Sequence, residues 1–97
     1  MNSKDQSIRR LLDDLDFDRR GWTVVDYWEA DAFAIGIASK PDPRRIIYIS
    51  TFRRAPGYFD FEAELPAGPR ETDYRVSDRG ENVSFEDLLK AIERHLA

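Results

Sequence analysis

The sequence contains no cysteine. That excludes a disulfide framework, a thiolate metal site and a cysteine nucleophile. It suits a reducing compartment, and the expected location is the cytoplasm. Histidine occurs once, as His95. No acid is clearly placed to orient it, so it reads as a solvated cation at the end of a helix, favoured there by the helix dipole. The five glycines are isolated, so no loop matches a phosphate cradle, and no serine sits in a G-x-S-x-G turn. No run approaches the roughly 20 apolar residues of a membrane span. The opening "MNSKDQSIRR" lacks the apolar stretch of a secretory signal. These absences leave no catalytic, metal or cofactor residue to assign, and an enzyme is not expected.

What is present describes one small folded domain. Ninety-seven residues suffice for a single α+β domain over 1–97. A chain of that size buries roughly 60–70 % of its unfolded surface, enough for one modest core. Hydrophobic residues make up 41 % and charged residues 35 %, a balance that folds and stays in solution. Lysine is scarce, with twelve of the fifteen cations being arginine, and the net charge is −4. An acidic surface repels phosphate, which argues against nucleic acid as partner. It favours a basic protein partner, with the chain a monomer or weak homodimer.

The pattern along the chain predicts a helix, about five strands and a second helix. Ser3 is a candidate N-cap, with Gln6 three residues on. Ile8, Leu11, Leu12 and Leu15 form an apolar stripe at helical spacing. Gly21 ends what helical character remains in "DFDRR". "WTVVDYWE" and "AFAIGIAS" read as strands, the second so apolar that it is expected to be central and covered on both faces. A two-residue turn between them would bury Trp22, Val24, Asp26 and Trp28, leaving Asp26 in need of a buried partner. A three-residue turn would align Val25 and Tyr27 with Ile37 and Ile35 instead. The cost at Asp26 favours this second register, with Trp28 pointing outward. "IIYISTF" and "YFDFEAEL" form a hairpin across "RRAPG". "ETDYRVS" is expected as an outer strand and "DRGEN" as a loop. Ser84 then caps a helix whose stripe is Phe85, Leu88, Leu89, Ile92 and Leu96, with Asp87 at the capping-box position. Short connections imply an antiparallel meander, the C-terminal helix packing on the sheet.

The hairpin carries the functional signal. If Phe52 pairs with Tyr58, then Ser50 faces Asp60, Tyr48 faces Glu62 and Ile46 faces Glu64. A one-residue slip would drive the acids into the core, so the register is strongly specified. One face then holds Ile47, Ile49, Phe59, Phe61, Ala63 and Leu65. The other holds Tyr48, Ser50, Phe52, Tyr58, Asp60, Glu62 and Glu64. Carrying the register across "PAGP" places Glu64 against Glu71, Glu62 against Asp73 and Asp60 against Arg75. Facing like charges destabilise a sheet by up to ~1 kcal/mol each. Acids on so flat a surface lack a loop to wrap a cation, so no metal is assigned. "GYFDFE" has a likeness to the aromatic strand of RNA-recognition domains, but its alternate acids would repel phosphate. Arg44, Arg45, Arg53 and Arg54 are the basic residues that flank the third strand.

"IIYISTFRRAPGYFDFEAELP" followed by "VSFEDLLKAIERHL" resembles small bacterial immunity proteins of polymorphic toxin systems. The likeness covers about the last half of the chain and rests on the Tyr48–Phe52 strand, the Gly57–Glu62 strand and the helix capped at Ser84. It implies a cytoplasmic protein that binds and blocks a cognate toxin, often a nuclease. The residues agree in direction. The expected contact surface is Tyr48, Phe52 and Tyr58 as aromatic anchors, with Asp60, Glu62, Glu64, Glu71 and Asp73 as charge. Alternatives are a secretion-type chaperone and a small-ligand regulatory domain using the space between sheet and helices.

Overall fold

A computed structural model describes residues 4–26, 30–70 and 73–96. The expected Ser3 cap, the positions of Tyr27 and Trp28, and Glu71 lie outside the described residues. The chain runs α1 (Gln6–Leu15), β1 (Trp22–Val25), β2 (Ala34–Ser39), β3 (Ile46–Ser50), β4 (Tyr58–Pro66), β5 (Tyr74–Ser84) and α2 (Phe85–Leu96). The five strands form one antiparallel sheet in sequence order. The α+β meander read from the sequence is the fold.

The hydrophobic periods explain the packing. Side chains alternate across a strand, so Ile35 and Ile37, Ile47 and Ile49, and Phe59, Phe61 and Ala63 share one face. They join one buried cluster with Ile8, Leu11, Leu12 and Leu15 of α1 and Leu88, Ala91, Ile92 and Leu96 of α2. Every residue of β2 is buried, as its apolar run implied.

Three local expectations are corrected. The N-cap of α1 is Asp5, whose carboxylate accepts from the Ser7 amide at 3.0 Å. The helix ends at Leu15 with Asp16 left-handed, so "DFDRR" is turn rather than helix. The β1–β2 register is the one that buries Trp22, pairing it with Ser39 and setting Val24 against Ile37. The partner Asp26 needs there is Lys4, whose ammonium lies 3.0 Å from its carboxylate and also donates to the Asp31 carbonyl. The Lys4 side chain is fully buried. A cation 22 positions away thus makes the rejected register affordable.

β5 differs most. It spans eleven residues, takes in the whole of "DRGEN" and runs directly into α2. The connection from β4 is wider than "PAGP": the Ala67 amide donates to the Asp73 carbonyl, and Arg44 donates to the Gly68 and Arg70 carbonyls. That slides β5, so Glu62 faces Arg79 rather than Asp73, and Leu65 faces Arg75. Two irregularities, between Phe59/Phe61 and Ala63/Glu64, break the ladder. Such bulges on a long edge strand discourage pairing with another chain.

His95 is buried, not solvated. Its Nε2 lies 3.0 Å from both the Ile46 and Glu64 carbonyls, so Nε2 carries the proton and donates to the sheet. Burial holds its pKa below the ordinary value of 6.5, only partly opposed by those two hydrogen bonds. The folded state therefore binds fewer protons than the unfolded chain below pH 6.5. Stability is retained above that pH and is lost as pH falls toward the folded pKa. Glu64, raised above 4.5 by burial and then by Glu62, has the opposite slope. The expected result is a Tm that falls between pH 7 and 5.5 in the native chain and falls less in His95→Gln, which keeps an N–H donor. Parallel pH profiles for the two proteins would refute this.

Candidate functional site

The hairpin register is the one its alternation implied: Ile46 faces Glu64, Tyr48 faces Glu62 and Ser50 faces Asp60. Tyr48, Asp60, Glu62 and Glu64 are therefore brought together on the face away from the helices, all of them half-buried. Tyr48, Ser50, Asp60, Glu62, Arg79 and Glu81 surround a shallow depression of about 240 Å³. Burial raises the Tyr48 pKa, and the charges of Asp31, Glu62 and Asp60 add to it.

The acids of β4 do not face acids of β5. With β5 slid along, Glu62 faces Arg79 and forms an ion pair with it, and Glu64 faces Val76. Asp60 accepts from the Arg54 side chain at 2.8 Å and from the Asn82 amide at 2.8 Å. It thereby caps the bulge where Asn82 takes a left-handed φ of 54°. Asp73 lies in the β4–β5 turn, bonded to Arg70, and does not join the hairpin acids. The expected Glu62–Asp73 pairing is thus overturned by strand register. Glu71, the other member of the expected set, is outside the described residues. Among the described residues no three metal-ligating side chains come together.

The arginines bracketing β3 have separate tasks. Arg44 ties the β2–β3 loop to the β4–β5 turn, and Arg45 Nε donates to the His95 carbonyl at the end of α2. Arg54 holds Asp60. Arg53 lies over the Phe52 ring, 5.2 Å from its centroid.

The hairpin tip is the exposed apolar part. Phe52 is 53 % exposed and Tyr58 44 %, and Phe52 contacts Phe33 with ring centroids 5.6 Å apart. Arg53, with φ 59°, and Gly57, with φ 86°, bend the loop between them. Sequence reasoning missed Arg79 and Glu81 as members of the face. The available signal was Gly80: a glycine inside a charged stretch marks close approach to a bulky neighbour, here Phe61.

No family model matches the chain, and no match was found among curated proteins or solved structures.

Proposed function

We propose that the chain is a non-enzymatic, cytoplasmic protein-binding domain of the immunity type, which neutralises a cognate toxin such as a nuclease through the outer face and tip of the β3–β4 hairpin. The observation that carries this reading is the exposed aromatic pair, Phe52 and Tyr58, at the end of a strand face lined by Tyr48, Asp60, Glu62 and Glu64. Aromatic side chains supply much contact area at low entropic cost and are common anchors at interfaces. A net charge of −4 suits a partner whose own working surface is basic.

The ion pairs on this face fit exchange with a partner. Glu62–Arg79 is exposed, and surface pairs are worth about 0–1 kcal/mol. A cation from a partner replaces Arg79 at little cost, and the acids then contribute more to encounter rate than to affinity.

The partner to test is the product of the adjacent gene. With it bound, hydrogen–deuterium exchange should slow at residues 50–60, and association should slow as salt rises. Protection confined to α1 and α2, with the hairpin unchanged, would overturn the reading.

A further inference from the structure

A second surface feature adjoins the tip of the hairpin and shares Tyr58 with it. A cavity of about 690 Å³ opens between the first turns of α1 and the loop joining β3 to β4. Ligand sites typically measure roughly 300–1,000 Å³. Leu11, Phe33, Phe59 and Phe85 provide apolar lining, and Arg10 and Arg53 also line it while remaining exposed.

The polar lining is ordered and directional. The Ser7 hydroxyl donates to the Asp5 carboxylate at 2.7 Å and lies 2.7 Å from the Thr51 hydroxyl. Hydrogen bonds from the Ser7 side chain and amide hold the Asp5 pKa below 3.8, so its carboxylate only accepts. Ser7 has one proton and gives it to Asp5. Thr51 must then donate to Ser7. Both hydroxyl protons are committed, and neither hydroxyl can serve an anion.

Positive charge is available elsewhere on the lining. Arg54 is engaged by Asp60. Arg10 and Arg53 have no ion-pair partner among the described residues. Arg53 is also held at φ 59°, an uncommon conformation for a residue with a side chain. The opposing acids are Asp5, occupied by Ser7, and Asp14, exposed on the next turns of α1.

We propose that this cavity binds a small amphipathic anion with a flat apolar body and a single acidic group. The body lies against Phe33, Phe59 and Phe85. The acidic group meets the guanidinium groups of Arg10 and Arg53. The site goes beyond the protein-binding reading and does not require a partner.

The probe is 8-anilinonaphthalene-1-sulfonate, compared with its uncharged analogue N-phenyl-1-naphthylamine. The sulfonate should bind saturably at one site, with Kd on the order of 10⁻⁵ M for a ligand of that size. It should raise Tm, as a ligand of the native state must. The double variant Arg10→Ala with Arg53→Ala should weaken the sulfonate roughly tenfold and leave the uncharged analogue unchanged. Ala55→Trp, at an exposed lining position, should block both compounds without lowering Tm. Absence of saturable binding, a fall in Tm with the sulfonate, or equal binding by native and Ala55→Trp proteins would overturn the proposal.

Discussion

Leu88→Ala should destabilise the protein by about 2–5 kcal/mol, the range for a fully enclosed leucine, whereas Leu89→Ala should cost about 1 kcal/mol. Leu88 has no exposed surface and belongs to the cluster with Ile92 and Leu96, while Leu89 is half-buried and packs at its margin. The two residues are adjacent, have the same composition and sit about 100° apart around one helix. Their difference therefore reads the rotation of α2 on the sheet. Urea unfolding with a constant m-value measures it. Equal losses, or a larger loss at Leu89, would mean that α2 presents a different face.

Gly80→Ala is the second large effect, about 1–3 kcal/mol for an insertion into a well-packed site. A Cβ at Gly80 would lie 2.3 Å from Cε2 of Phe61 and 3.0 Å from its Cζ. The Phe61 ring is buried and packed in the core, so it cannot simply swing clear. Gly80 does not have a left-handed φ, so the cost is contact rather than backbone strain. A smaller side chain across the strand should relieve it. In a Phe61→Leu background, adding Gly80→Ala should cost less than it does in the native chain, a coupling that a double-mutant cycle isolates. Additive losses would show that the ring and the glycine do not meet.

The sequence was most readable where period and burial agree. Alternation from Ile46 to Glu64 permits one hairpin register without burying acids, and the strands pair that way. Stripes at helical spacing located both helices. Two structural choices depended on distant residues. The β1–β2 register turned on Lys4, which meets Asp26 across 22 positions and satisfies it. The β4–β5 register turned on the wide connection held by Arg44 from another loop. His95 reads as solvated because no acid in the sequence is placed to orient it, yet carbonyls of Ile46 and Glu64 receive it.

The candidate surface divides in the same way. Tyr48, Phe52, Tyr58, Asp60, Glu62 and Glu64 follow from the hairpin alone. Asp73 was misplaced because its position depends on the slid strand. The Thr51–Ser7–Asp5 chain joins residues 44 positions apart, so no local pattern pointed to the cavity beside it.

Phe52 and Tyr58 are proposed to anchor a protein partner. The most direct measurement is calorimetric titration of the adjacent gene's product with the native chain and with the Phe52→Ala, Tyr58→Ala double variant. Both side chains are exposed, so the Tm of the free variant should stay within a few degrees of native. Two interface anchors should account for at least about 2 kcal/mol together, a Kd roughly 30-fold weaker. A tight native complex whose Kd is unchanged in the folded double variant would show that these two side chains are not anchors.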